Sequence, residues 1–229
     1  MKARMIPALF TVVAVLAACS DAPADDMAQA MGEAVEDVAS RFQQDARTAM
    51  QEARLAADGL EASYAEATGD AAAAWQRTRM EIAEYRSRIE GDLARLGSAS
   101  EEQAAMIRDE ITADVAALTA RVEHARLQAA EGGEAFVEAS RTSLEAVEED
   151  LAQLRAETGG LAEAARVETE GAIDSLDRQA DELLTEIDAL AEAAEGEIAE
   201  QRDVIAQRIG ELTASVQREL LELRSDVTT

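Results

Sequence analysis

Apolar residues recur along this chain every three or four positions, which is the spacing of one face of an α-helix. A first series runs from Val35 to Leu96 and advances about 3.6 residues per step. Further series run from Ala104 to Ala129, from Phe136 to Leu154 and from Ile173 to Val227. The two-residue alternation of a β-strand is absent. The pattern therefore predicts an all-α protein built from long amphipathic helices.

Glycine-containing segments mark where these helices end. In Gly97-Ser98-Ala99-Ser100, Gly97 can end a helix in a left-handed conformation, and Ser100 with Gln103 can form a capping box for the next helix. Gly159-Gly160 is the second break. Gly69-Asp70 and Gly132-Gly133 are weaker breaks, through which a helix could continue at a cost of about 1 kcal/mol per glycine.

The two stronger breaks predict helical segments at about 26–96, 100–158 and 161–227. Segments of similar length joined by short turns favour an elongated, thin antiparallel three-helix bundle. The alternative is a jointed helical rod, which would leave the apolar stripe of each helix exposed to water. A step of 3.6 residues also suits straight helices better than the 3.5-residue repeat of a coiled coil.

Composition limits the thickness of the core. The chain contains 52 alanines and 3% aromatic residues, and no proline follows Pro23. Alanine favours helix, but its single methyl group buries little apolar area. We therefore expect helices joined by a thin apolar seam.

The chain is strongly acidic, with a formal net charge of −27. Removal of Lys2 and Arg4 with the N-terminal segment would leave 19 basic against 48 acidic residues, a net charge near −29. Nucleic-acid binding requires Lys and Arg against phosphate, so this charge argues against a nucleic-acid partner. It also repels anionic lipid head groups.

Residues 1–18 have the organisation of a bacterial signal peptide. Lys2 and Arg4 supply the positive start, and an uncharged, mostly apolar run follows from Met5 to Ala18. This run is shorter than the roughly 20 residues of a membrane-spanning helix, but it has the length of a signal-peptide core. We therefore predict that residues 1–18 are removed during export.

The sequence Leu16-Ala17-Ala18-Cys19 at the end of this run resembles the lipobox of bacterial lipoproteins. The resemblance implies that signal peptidase II cuts before Cys19, and that Cys19 carries diacylglycerol and often a further acyl chain such as palmitate. A thiolate is the nucleophile that this lipid transfer needs. An ordinary signal peptide beside an unrelated cysteine is the alternative, but the charged start, the apolar run and the sole cysteine all lie in register.

Residues 19–26 are predicted to form the lipidated cysteine and a flexible tether, and residues 27–229 the acidic helical region. In enterobacterial lipoproteins an aspartate directly after the cysteine retains the protein at the inner membrane. Ser20 occupies that position. The resemblance therefore implies a lipid-anchored protein that faces the periplasm, at the outer rather than the inner membrane.

No catalytic or metal-binding motif accompanies the helical pattern. His124 is the only histidine, and no cysteine besides Cys19 is present to bind a metal. Nucleophile-elbow, phosphate-loop and dinucleotide-binding sequences are absent. We therefore expect neither an enzyme nor a cofactor, and we interpret the charges as solvated helix faces.

The helical region is similar to bacterial proteins that match apolipoprotein A/E-type amphipathic repeats. The resemblance covers most of residues 30–227 and rests on composition and helical period. It implies a protein that lays its apolar face on a lipid surface. The chain departs from that pattern in lacking proline between the repeats and in carrying far more acids than arginines.

Two functions remain open at the level of sequence. The first is a periplasmic structural or interaction module, anchored by lipid on Cys19, that binds another envelope protein; self-association of the chain also stays open. The second is an apolipoprotein-like lipid-surface binder. Attachment to peptidoglycan through a C-terminal lysine, as in the murein lipoprotein, is chemically excluded because Lys2 is the only lysine.

Overall fold

The computed structural model describes the backbone of residues 24–65 and 67–226, and the side chains from Ser40 to Arg224 except those at positions 66, 70 and 101. The described residues form six α-helices and a 3-10 turn at Thr158–Gly160. The helices are α1 (Ala24–Ser63), α2 (Gly69–Leu96), α3 (Glu101–Gln128), α4 (Gly133–Glu157), α5 (Glu163–Ala191) and α6 (Glu195–Asp226). The all-α prediction is confirmed.

Each of the three predicted segments contains one further break. The first divides before Gly69 and the second at Gly132, where the chain adopts positive φ angles of 62° and 84° that favour glycine. The third divides at residues 192–194, where the sequence analysis placed no break. The bundle therefore has six helices instead of three, and α3 with its 28 residues is roughly 42 Å long.

The boundary between α2 and α3 follows the prediction in one respect and corrects it in another. The Ser100 N–H donates to Oε1 of Gln103 at 3.1 Å, which completes the predicted capping box. Gly97 is right-handed, with φ −67°, so the predicted left-handed conformation is wrong. The chain leaves α2 through a right-handed turn, which needs no positive φ. At the N-terminal side, α1 begins at Ala24, so the last three residues of the predicted tether 19–26 are helical.

The helices alternate in direction along the chain. Two ion pairs in each of the α2–α3 and α4–α5 contacts identify these pairs as antiparallel hairpins, because the later residue of one helix pairs with the earlier residue of the other. Helices α3 and α6 run antiparallel at the centre of the bundle. On one side α2 packs against α3, with α1 against both α3 and α6, and on the other side α4 and α5 pack against α6 and against each other.

Two apolar cores result from this arrangement. The first lies among α1, α2 and α3 and contains Phe42, and the second lies among α4, α5 and α6 and contains Phe136. Two leucines cross between the halves. Leu127 of α3 belongs to the second core, and Leu221 of α6 belongs to the first.

The two halves are related by an internal repeat of 94 residues. Helices α1 and α4 end 94 residues apart, and the starts of α2 and α5, and of α3 and α6, are separated by the same number. Ten of the 28 residues of α3 are identical to those 94 positions later. The crossing leucines are themselves such a pair. The identities also include Arg108 with Arg202, Asp109 with Asp203, Phe42 with Phe136, and Thr48 with Thr142.

Small residues bring α3 and α6 close together where they cross. A Cβ atom on Gly210 would lie 2.8 Å from the carbonyl oxygen of Ala120. The repeat relates this pair to Ala214 and Ala116, which are both buried. Helices α3 and α6 are therefore related by an approximate twofold axis through this contact, which we call the α3–α6 seam.

Candidate functional site

The predicted lipidation site lies outside the described residues. Cys19 and the signal peptide 1–18 precede the first described residue, Ala24. Lipidation and cleavage therefore stay predictions. None of the described helices is long and apolar enough to cross a membrane.

A cleft between α1 and α2 is the most unusual charged surface of the described residues. Both helices pack against α3 but touch each other little. They border a half-open cavity of about 150 Å³. Its lining is part apolar and part charged, and includes Trp75, Ile82, Arg54, Asp58, Glu61, Arg79 and Arg86. We call this cavity the α1–α2 cleft.

Aromatic packing fixes the apolar part of the cleft. Trp75 is 6% exposed and stacks on Tyr64, with ring centroids 4.7 Å apart and ring planes inclined by 9°. The Tyr64 hydroxyl donates to the carbonyl oxygen of Ala125 at 3.0 Å. Burial raises the pKa of Tyr64, and the charge of Arg202 opposes this shift. The two rings and the hydrogen bond therefore hold the turn after α1 against α3.

The arginines of the cleft are paired with acids only in part. Arg79 reaches Glu61 across the two helices at 2.9 Å, whereas Arg54 lies 3.6 Å from Asp58 on its own helix. Arg86 lies 4.0 Å from Glu90, and its Nε is buried without a hydrogen-bond partner among the described residues. Exposed ion pairs of this kind contribute little stability. The lining thus carries three arginines against two carboxylates in a chain of net charge −27.

A second polar cluster surrounds the C-terminal end of α3. Arg202 of α6 donates to the carbonyl oxygens of Leu127 and Gln128 at 3.1 and 2.9 Å, and also to that of Ala130. Its guanidinium lies 5.1 Å from the centroid of the Phe136 ring. Because the last carbonyl groups of a helix have no partner within the helix, this arginine caps α3 from a neighbouring element. The cluster is structural.

His124 takes part in the same contact between helices. Its Nε2 lies 3.0 Å from Oδ1 of Asp203 on α6, and its side chain is 25% exposed. This histidine therefore lies at the edge of the α3–α6 contact. Among the described residues, no group of three or more His, Cys, Asp or Glu side chains is arranged to hold a metal ion.

The arginines of the cleft were not singled out by the sequence analysis, which interpreted them as surface charges. They are separated by 25 and 7 residues on two different helices, so no local motif joins them. The 94-residue repeat is the signal that could have found them, because it exposes positions at which the two halves differ. No protein family matches this chain, and no curated protein or solved structure is significantly similar to it.

Proposed function

We propose that this protein is a lipid-anchored lipoprotein of the bacterial envelope whose helical bundle faces the periplasm and binds another envelope protein. One observation carries the proposal. Leu16-Ala17-Ala18-Cys19 stands at the end of an apolar run of signal-peptide length, with the positive charges of Lys2 and Arg4 before it.

The packing of the apolar stripes supports an interaction module over a lipid-surface binder. Large side chains of the stripes are buried in the two cores, and Phe42, Ile89, Ile111 and Phe136 are at most 2% exposed. A helix that binds a lipid surface places such side chains in the membrane interface. In this bundle those side chains are already buried against other helices, so lipid binding through them would require the bundle to open.

The exterior of the bundle is acidic, with a few exposed apolar side chains that a partner could contact. Among the side chains that the structure describes, the large apolar ones that are exposed occur singly on five of the helices, at Leu55, Met80, Met106, Val167 and Val204. Between them the surface is dominated by carboxylates. Complementary charge accelerates association and selects partners, so this surface favours a partner with a basic face.

Metabolic labelling with a radioactive fatty acid tests the proposal. The wild-type protein should incorporate label, lose residues 1–18 and sediment with the envelope membranes. Cys19→Ala should remain a longer, unlabelled precursor, because the only thiol in the chain is removed. Ser20→Ala changes the neighbouring residue without touching the thiol, so it should be labelled and cut like the wild type.

The outcome against the proposal is equally specific. Label in Cys19→Ala, or an unlabelled wild-type protein cut at another position, would show that Cys19 is not the anchor. For the partner, chemical crosslinking in cells should capture an envelope protein with a basic surface, and this capture should weaken when membrane anchoring is lost.

A further inference from the structure

The internal repeat provides a built-in comparison for the α1–α2 cleft. Each residue of the cleft corresponds to one 94 positions later on α4 or α5, and those two helices pack closely along their length. At three positions a buried apolar residue of the second half is replaced by a small or basic residue in the first half. The pairs are Leu151 with Ala57, Ile173 with Arg79 and Ala180 with Arg86. Apolar side chains therefore fill the α4–α5 contact at the positions where the first half has arginines.

This change is confined to the cleft. Core positions of α2 outside the cleft have apolar counterparts in α5, Ile89 in Leu183 and Leu93 in Ile187. Within the cleft, Ile82 corresponds to Leu176, whereas Trp75 corresponds to Thr169. Exchange of buried apolar side chains for alanine and arginine gives up core packing and opens a cavity. The first half therefore keeps its core, but α1 and α2 make little contact in the cleft, where the Arg79–Glu61 ion pair crosses between them and three arginines line the cavity.

Arginine clusters have a characteristic ligand. The planar guanidinium group donates two parallel N–H bonds that match the oxygens of a phosphate. Because Arg54 and Arg86 lie 3.6 and 4.0 Å from their nearest acids, their N–H groups are not held in short hydrogen bonds by those acids. The cavity of about 150 Å³ has room for a phosphate group and is smaller than the roughly 300 Å³ or more of sites for drug-sized ligands.

We propose that the α1–α2 cleft binds a phosphate group, carried either by a small soluble phosphoester or by the head group of a phospholipid. Arg54, Arg79 and Arg86 donate N–H bonds to the phosphate oxygens. Trp75 and Ile82 form an apolar floor on which the organic part of the ester packs. The bound phosphate replaces the carboxylate of Glu61 as the acceptor for Arg79. This site is independent of whether Cys19 is lipidated.

The cleft contains its own reporter. Trp75 is the only tryptophan of the chain, so a change in its fluorescence reports on the cleft alone. The purified full chain is titrated separately with inorganic phosphate, with glycerol phosphate and with phosphatidylglycerol vesicles, at constant ionic strength set by chloride. A saturable response to the soluble phosphates assigns a soluble ligand, and a response to the vesicles alone assigns a lipid head group.

Two variants and one matched control test the role of the arginines. Arg86→Gln removes a cleft guanidinium and should weaken binding about tenfold or more, because a hydrogen bond from a charged donor is lost. Arg178→Gln removes an exposed arginine of α5 that donates to the carbonyl oxygen of Asp174 on its own helix, and it should leave binding unchanged. The combined change Arg79→Ile with Arg86→Ala installs the residues of the second half and should abolish the response.

Circular dichroism of each variant separates loss of binding from loss of fold. The expected result is unchanged helicity and thermal midpoint in Arg86→Gln with a weakened fluorescence response. If no probe gives a saturable response, or if Arg86→Gln and Arg178→Gln bind with equal affinity, the proposal is overturned.

Discussion

Replacement of Gly210 by alanine tests the α3–α6 seam, on which the association of the two halves depends. The added Cβ would lie 2.8 Å from the carbonyl oxygen of Ala120 and 3.5 Å from both the Cα and the carbonyl carbon of that residue. All three atoms belong to the backbone of α3. No side-chain rotation can relieve the contact, so the two central helices must move apart.

The expected magnitude is the difference between two opposing effects. Overpacking in a close-packed interior costs about 1–3 kcal/mol. Alanine in place of glycine within a helix contributes about 1 kcal/mol of stability. Gly210→Ala should therefore lower the free energy of unfolding by up to about 2 kcal/mol. Gly91→Ala in α2 is the matched control, because a Cβ there meets no atom within 4 Å and only the favourable effect applies.

Urea denaturation followed by helical circular dichroism measures both variants. Their free energies of unfolding should differ by about 1–3 kcal/mol, which for a protein of this size corresponds to about 2–4 °C in thermal midpoint per kcal/mol. Addition of Ala120→Gly to Gly210→Ala should not rescue stability, since the clash is with a backbone oxygen. Equal stabilisation by Gly210→Ala and Gly91→Ala would refute the close approach of α3 and α6.

Two further variants test other parts of the bundle. Arg202→Gln should lower the free energy of unfolding by about 1–3 kcal/mol, because the carbonyl oxygens of Leu127, Gln128 and Ala130 lose the guanidinium donor. Arg178→Gln should change the free energy of unfolding by less than about 0.5 kcal/mol. Equal effects of the two variants in a urea titration would contradict the capping role. Burial raises the pKa of Asp150, and the hydrogen bond from Gln217 opposes that shift. Asp150→Asn should therefore be more stable than the wild type at neutral pH. The stability difference between the variant and the wild type should shrink as pH falls from the raised pKa of Asp150 toward the ordinary carboxyl value of about 4. Protonation then makes the Asp150 side chain neutral, like the asparagine of the variant. An advantage that stays constant in thermal melts over this range would count against the burial of the charge.

The sequence predicted helix boundaries where side-chain chemistry marks them and missed those where the apolar period continues. Ser100 and Gln103 form a capping box that is legible in the sequence, and the boundary there is correct. From Leu60 through Tyr64 to Trp75 the apolar spacing remains helical across a turn, so the period alone hides the break. The turn at residues 192–194 contains only alanine and glutamate, which are strong helix formers.

The pairing of helices was beyond single-sequence reasoning for a related reason. Many helix faces in this chain consist of alanine flanked by acidic residues. Because these faces have the same local sequence pattern, the pattern does not indicate which of them pack together. The burial of α3 against both halves depends on Thr112 and Ala116, which a search for large apolar residues passes over. The cleft was missed because an arginine on an amphipathic helix is usually solvated, and only comparison with Ile173 and Ala180 shows that Arg79 and Arg86 occupy positions of a packed contact.

An even number of alternating helices returns the chain to the end of the bundle from which it started. The C-terminal end of α6 lies beside the middle of α1, because Leu221 shares the first core with Phe42, which stands 18 residues after Ala24. A lipid on Cys19 would therefore turn the C-terminal end of α6 toward the bilayer as well, but roughly 20–30 Å short of the level of Ala24. The turns at 64–68, 129–132 and 192–194 would then form the distal face, about 60 Å along α1 from Ala24. The first half of α1 would thus act as a spacer, so a tag fused after α6 would stand clear of the membrane surface and one inserted beside Gly132 would lie farther from it still.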